Sequence, residues 1–260
     1  MTLSFSKYHG AGNDFIIIDN RNGEFSQDTQ WIHFLCDRRL GIGADGLMLI
    51  SEHQSLDFSM KYFNADGKEG SMCGNGGRCI SAYYYHNFAP KKILAFHAID
   101  GEHHSEILNT ANNITQVRLQ LSDVDQVKEI DGGYLLNTGS PHFVKFVDHA
   151  DSIDIKITGK KLRYSHSFAP GGVNVNFVEF QKDKLYVRTY ERGVEDETLS
   201  CGTGVTASAI AASLIKGLTD FDITTRGGNL KVSFQKNGNS FHNVWLTGPA
   251  TFVYTGQIEI

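Results

Sequence analysis

Proline and cysteine are scarce in this chain, four of each in 260 residues. So little proline excludes a Pro-rich spacer or stalk. So few cysteines in so long a chain exclude a disulfide-stapled scaffold, and free, reduced thiols are the expectation. No segment approaches the 18 or so uninterrupted apolar residues of a membrane span. The first residues, Met1 to Lys7, alternate like a strand and lack the charged and apolar regions of a signal peptide. Positive charge is not in excess either: 24 Lys and Arg stand against 29 Asp and Glu, a net charge of −5. The basic residues are scattered and form no stripe of the kind that nucleic acid or an anionic membrane surface requires. These absences predict a cytoplasmic protein with neither nucleic acid nor membrane as partner.

Hydrophobic residues make up 40% of the chain, enough for a sizeable core, and 27 glycines punctuate it. Strand patterns fall at Phe15–Asp19, Leu47–Ile50, Leu56–Asn64, Val117–Leu121, Phe143–Asp148, Val175–Phe180, Lys184–Glu191 and Asn243–Leu246. Helical patterns fall at Thr29–Arg39, Gly76–His86 and Gly204–Lys216. This is a strand-rich α/β (α+β) chain with few helices.

Its two halves resemble each other. Phe63-Asn64-Ala65-Asp66-Gly67 ends an alternating run, and nine positions after Asn64 comes Cys73-Gly74-Asn75-Gly76. Tyr190-Glu191-Arg192-Gly193 ends another, and ten positions after Glu191 comes Cys201-Gly202-Thr203-Gly204. Upstream, Gly12-Asn13-Asp14-Phe15 answers to Gly139-Ser140-Pro141-His142-Phe143. Asp45 lies 28 residues before the first of these cysteines and Asn174 lies 27 before the second. Three blocks in one order at matched spacing predict a duplicated fold. Facing copies would bring Cys73 and Cys201 to opposite sides of one bound molecule.

Two opposed thiols suit one reaction class. Racemising an amino acid removes the α-proton from one face and returns a proton to the other, with one thiolate as base and one thiol as acid. An ordinary thiol, with a pKa of about 8.5, is mostly protonated at neutral pH, and a helix N-terminus favours the thiolate. Gly74, Gly76, Gly202 and Gly204 would let the backbone turn sharply and approach a ligand closely. The amides of the two helix starts would then cradle an α-carboxylate. Asn64 and Glu191 end corresponding strands and suit the α-ammonium or the tuning of the thiols. His142 is placed to adjust thiol protonation. No metal cluster or pyridoxal lysine motif is apparent, so no cofactor is expected.

These residues resemble the diaminopimelate epimerase family. The resemblance rests on Lys7-Tyr8-His9-Gly10-Ala11-Gly12-Asn13-Asp14-Phe15, Gly41-Ile42-Gly43-Ala44-Asp45-Gly46, Phe63 to Gly67 and Cys73-Gly74-Asn75-Gly76-Gly77-Arg78-Cys79. It continues with Gly139-Ser140-Pro141-His142, Tyr190 to Gly193 and Cys201 to Gly204. It implies two pseudo-symmetric lobes, each a β-barrel-like, mostly antiparallel sheet around a central helix, with the site in the cleft between them. The lobes would be 1–120, with a strand at about 250–260 packing back on it, and 121–249. It implies epimerisation of LL-2,6-diaminopimelate to the meso form, for lysine and peptidoglycan precursor synthesis, in a homodimer. Cys73 and Cys201 would be the acid–base pair, with His142 and Glu191 tuning them. Asn13, Asn64, Asn174, Glu191 and Arg192 would hold the substrate, with the backbone amides of Gly74, Asn75, Gly202 and Thr203 on the reacting carboxylate. Arg192 can grip a distal carboxylate bidentately. Ser140 and Gly46 depart from the family, where many members have Asn and some have Gln.

Three alternatives compete. A proline or hydroxyproline racemase also uses two cysteines, but its ligand has no distal zwitterion for Arg192 and three asparagines. A nucleotide-binding oxidoreductase is suggested by Gly202-Thr203-Gly204-Val205-Thr206-Ala207 with Asp222 twenty residues on, yet that motif should follow directly on a buried strand. A non-catalytic binding protein would not need both cysteines. His97, His103 and His104 read as solvated loop histidines, and Cys36 and Cys79 as small buried apolar groups. Trp31, Phe34 and Leu35 read as core.

Overall fold

The structure is a computed structural model that describes residues 2–259. Met1 and Ile260, at the outer bounds of the first expected lobe, lie outside the described residues. The chain divides into two compact units, Met1–Leu119 with Gly248–Ile260, and Gln120–Thr247.

The first unit contains β1 (Thr2–Gly10), β2 (Asn13–Asp19), α1 (Thr29–Cys36), β3 (Gly46–Ser51), β4 (Phe58–Asn64), α2 (Gly74–Asn87), β5 (Ile93–Ala98), β6 (Gly101–Ala111) and β7 (Ile114–Gln120). The strands pair in sequence order. Residues 248–251 of the final strand pair with β7 and residues 251–259 with β1, which closes the ring. β2 with β3 and β4 with β5 run parallel, and the other pairs antiparallel. Phe15–Ile18 of β2 and Gly46–Ile50 of β3 are buried on both faces, and so read as unbroken apolar runs. One face joins a cluster with Ile32, Leu35 and Cys36 of α1. On the other lies α2, packed against β1, β2, β3 and β6.

The second unit repeats this plan with β8 (Lys128–Ile130), β9 (Gly133–Asn137), β10 (Pro141–Phe146), α3 (Ile155–Arg163), β11 (Asn174–Gln181), β12 (Lys184–Glu191), β13 (Asp196–Thr198), α4 (Gly202–Lys216), β14 (Asp220–Thr225), β15 (Gly228–Asn237) and β16 (Ser240–Glu259). The sheet order is β8-β9-β10-β11-β12-β14-β15-β16, with β13 beside β12. Again a helix, α3, fills the crossover between a parallel pair, β10 and β11, and another, α4, the crossover between the parallel β12 and β14. Antiparallel pairs predominate in both units, as expected. α2 corresponds to α4 and α1 to α3.

The register refines the repeat. Gly46 pairs with Asn64, and continuing the β11–β12 register by one residue sets Asn174 level with Glu191. Gly46, rather than Asp45, is therefore the counterpart of Asn174, and each stands 27 residues before its cysteine.

α2 and α4 are thin helices in a crowded interior. Gly74–Tyr83 are all buried, and in α4 every residue from Gly202 to Ser213 except Thr203 is buried. Their Gly, Ala, Ser and Thr content lets the sheet close around them. Hydroxyls one turn on return to backbone carbonyls: Ser81 to Gly77 at 2.7 Å, Thr206 to Gly202 at 2.9 Å and Ser208 to Gly204 at 2.7 Å.

Several expectations need correction. α1 stops at Cys36 rather than Arg39, where Asp37 turns extended and its carboxylate accepts from the amides of Arg39 and Leu40. Trp31 is 43% exposed and lies on the outer face of α1, while Leu35 is buried and Phe34 packs on the core's edge. His97, His103 and His104 belong to the β5–β6 hairpin, where His103 is buried and bonded to Asp100 at 3.0 Å. Gly76 and Gly204 are not sharp turns. They lie inside regular helices whose surroundings pack closely: a Cβ on Gly76 would press on the flexible Met48 side chain at 3.0 Å from Sδ, and one on Gly204 would overlap Asn176 Oδ1.

Candidate active site

The first half-site is built at the start of α2. Cys73 is the N-cap residue, with extended backbone (φ −93°, ψ 127°), so its sulfur stands at the mouth of the helix. No carbonyl lies one turn behind the first amides of a helix, and their partial positive charge faces outward. Cys73 Sγ is 3.6 Å from Asn13 Oδ1. That carboxamide is held from behind, because Asn13 Nδ2 donates to Asp45 Oδ2 at 2.8 Å. Asp45 belongs to a charge cluster in which Arg38 donates to Asp14 and Asp45, and Lys7 pairs with Asp14 at 2.8 Å. Burial alone would raise the Asp14 carboxyl, but hydrogen bonds from Arg38 and Lys7 outweigh it and hold the group far below the usual range.

Inside α2, Arg78 is fully buried and donates to Gly74 O at 3.0 Å and Asn75 Oδ1 at 2.8 Å. Asn75 Nδ2 in turn lies 3.4 Å from Asn13 Oδ1. Asn64 is exposed at the end of β4.

The second half-site repeats the first at the start of α4. Cys201 is again an extended N-cap (φ −111°, ψ 113°), and its Sγ lies 3.5 Å from Thr203 Oγ1. His142 Nε2 is 2.9 Å from the same hydroxyl. Burial, then the positive charge of Arg192, lowers the His142 pKa to about 3, so the ring is neutral at physiological pH. Glu191 accepts from Thr198 Oγ1 at 2.8 Å.

Beside this lies a second polar group. Asn174 Oδ1 accepts from the Arg192 amide at 2.8 Å, and Asn174 Nδ2 donates to Ser140 Oγ at 2.9 Å and Pro141 O at 3.2 Å. Arg192 Nη2 reaches the same Ser140 hydroxyl at 3.5 Å. Asn174 thus fixes Ser140 and Arg192, and its amide hydrogens are both engaged within the unit.

In the first unit, then, the structure brings together Asn13, Cys73, Gly74 and Asn75, and in the second His142, Cys201 and Thr203, with Asn174 and Arg192 adjoining. Arg78, Asp45 and Ser140 support them, and the sequence alone assigns these no role. A charged residue in an otherwise uncharged helix start was a visible signal for Arg78. Among the described residues no group of three or more His, Cys, Asp or Glu side chains is arranged to hold a metal ion. Among the described residues no helix is long and apolar enough to cross a membrane. The Gly202 to Ala207 motif follows a three-residue edge strand, β13, rather than a buried one, which removes the context a dinucleotide fingerprint requires.

In each copy of the repeated fold a barrel-like sheet surrounds a central helix capped by a cysteine. The same fold occurs in a phenazine biosynthesis protein of the PhzF family from Bacillus anthracis, with a TM-score of 0.81, 15% identity and full coverage of both chains. It also occurs in a hydroxyproline epimerase from Agrobacterium vitis, with a TM-score of 0.70 and 15% identity over 99% of this chain and 92% of that one. The family model described as diaminopimelate epimerase matches residues 5–124 and 134–253. A diaminopimelate epimerase from Flavobacterium psychrophilum is 48% identical over 98% of this chain and 100% of its own length. The chain belongs to the diaminopimelate epimerase family.

Proposed function

We infer that this chain converts LL-2,6-diaminopimelate to the meso form with Cys73 and Cys201 as the acid–base pair. The observation that carries the reading is that each cysteine caps a buried helix at the same place in a repeated fold. The chemistry then follows. A thiolate takes the α-proton, the C–H electron pair stays on the substrate as a carboxylate-conjugated carbanion, and the other thiol delivers its proton to the opposite face. The product leaves with the protonation of the two sulfurs exchanged. The amides of Gly74, Asn75, Gly202 and Thr203 bind the reacting carboxylate, and the helix dipoles stabilise its added charge in the transition state. Nothing in this sequence of steps calls for a cofactor.

Asn13 and Asn64 contact the substrate from the first unit. Glu191 takes the α-ammonium, and Arg192 grips the distal carboxylate with Ser140 beside it. Asn174 acts by holding those two. His142 tunes Cys201. A homodimer in the cytoplasm belongs to the same proposal, and light scattering and cell fractionation test it.

The decisive experiment is incubation with LL-diaminopimelate in D₂O. The reading expects meso product with one deuterium at the inverted carbon. Turnover of proline with none of diaminopimelate would overturn it in favour of a proline-type racemase.

A further inference from the structure

Asn176 lies on β11 and is fully buried, and the mechanism above gives it no role. A buried carboxamide in an apolar interior needs partners for both its ends. Here the partners fix its orientation. One end lies 3.3 Å from Phe143 O. A carbonyl oxygen can only accept, so that end is Nδ2. The other end, Oδ1, then accepts from Thr189 Oγ1 at 2.9 Å. Nδ2 also lies 3.1 Å from His142 Nδ1. Since Nδ2 is a donor, His142 Nδ1 must be the acceptor, and the ring proton resides on Nε2.

The consequence runs to the sulfur. With its proton on Nε2, His142 donates to Thr203 Oγ1 at 2.9 Å. The threonine hydroxyl, already accepting, turns its own hydrogen toward Cys201 Sγ, 3.5 Å away. We propose that Asn176 is a positioning residue that locks His142 in the Nε2–H tautomer and thereby presents a hydrogen-bond donor to Cys201 through Thr203. A donor at that distance stabilises the thiolate over the thiol. The opposite tautomer would make His142 Nε2 an acceptor, draw the threonine hydrogen away and leave the sulfur facing an oxygen lone pair.

The neutrality of His142 fits this scheme, since a charged ring would carry protons on both nitrogens and could not accept from Asn176. The packing fits too: Asn176 Oδ1 lies against Gly204, where a Cβ would overlap it, and a flipped carboxamide would set its oxygen against the Phe143 carbonyl oxygen.

The proposal rests on Cys201 being an acid–base thiol, and its readouts need no substrate, so its failure is separable from failure of the epimerase reading. ¹⁵N NMR of the wild-type protein reports the His142 tautomer directly. The expected result is a protonated Nε2 and a bare Nδ1, and a proton on Nδ1 would overturn the proposal. The second readout is alkylation of Cys201 by iodoacetamide at fixed neutral pH, mapped by mass spectrometry. Asn176→Leu and Thr203→Val should each slow it by about three- to tenfold, because the thiolate fraction falls while intrinsic nucleophilicity partly compensates. Thr203→Ser, which keeps the hydroxyl, should restore the wild-type rate, and Cys73 should be unaffected throughout. A folded Asn176→Leu protein with wild-type Cys201 reactivity would assign Asn176 a merely structural role and refute the relay. Should that variant fail to fold, the wild-type tautomer and the Thr203 pair decide the matter.

Discussion

Gly76 and Gly204 occupy the same position in equivalent helices, and replacing each by alanine should have opposite consequences. Both replacements gain about 1 kcal/mol of helix propensity. They differ in what the new methyl group meets. At Gly76 it lies 3.0 Å from Met48 Sδ, part of a flexible side chain that can yield by a few tenths of an ångström. At Gly204 it overlaps Asn176 Oδ1 and approaches Cys201 Cβ at 3.2 Å and Sγ at 3.3 Å. Those atoms are fixed by hydrogen bonds and by the helix cap, and overpacking of that kind costs about 1–3 kcal/mol. Gly76→Ala should therefore be neutral or stabilising by up to about 1 kcal/mol, and Gly204→Ala destabilising by up to about 2 kcal/mol. At about 2–4 °C per kcal/mol, a 2 kcal/mol gap separates their melting temperatures by about 4–8 °C. Circular dichroism melts of the three proteins measure this. Epimerase activity of Gly204→Ala, measured well below its melting temperature, should also fall, because the shift displaces Asn176 from His142. A Gly204→Ala protein that melts as high as Gly76→Ala and turns over normally would refute the packing argument.

Cys73→Ala and Cys201→Ala should each abolish epimerisation in a stereochemical assay, while Cys36→Ala and Cys79→Ala, whose thiols are buried and pushed upward by that burial, should retain it. Arg192→Ala removes the guanidinium proposed to grip the distal carboxylate and should lower kcat/KM for diaminopimelate by about 10- to 100-fold, with steady-state kinetics as the check. His142 binds a proton more readily unfolded, near the ordinary value of 6.5, than folded, near about 3. Its contribution to stability is therefore complete above pH 6.5 and lost as the pH falls below it, by about 1.4 kcal/mol at pH 5.5. Urea unfolding at pH 7.5 and 5.5 should show that loss in the wild type and a smaller one in His142→Gln, and equal slopes would count against a buried neutral ring.

The helix-capping cysteines were legible because Cys-Gly-x-Gly followed by small residues is unusual at two matched places. The β2 and β3 runs were legible because burial on both faces leaves no polar interruption. α3 was hidden: Gly159 interrupts it, and that glycine is there because a Cβ would overlap the Tyr190 ring. β6 was hidden because its inward positions include His103 and Ser105, and Ser105 faces not solvent but Ser81 of α2 at 2.8 Å. Asn176 was hidden for the same reason. A polar residue at an inward strand position looks like a solvent-facing one until its partners, Phe143 O, Thr189 and His142, are in place. What the sequence conceals here is polar burial, which depends on pairings between residues 13 to 34 positions apart.

The long strand β16 carries an implication for how the chain is made. Residues 240–247 complete the second sheet, and residues 248–259 are the strand without which β1 and β7 of the first sheet have no neighbour on that side. A ribosome emits the chain from its amino end, and domains ordinarily finish in that order. This molecule reverses it. The unit begun first waits, with two strand edges exposed, until every residue of the other has been synthesised, and an unpaired edge is where chains stick to one another. The nascent protein therefore passes through a state in which its amino-terminal half is nearly whole and still open to aggregation, closed only by a segment translated more than 230 residues after β1.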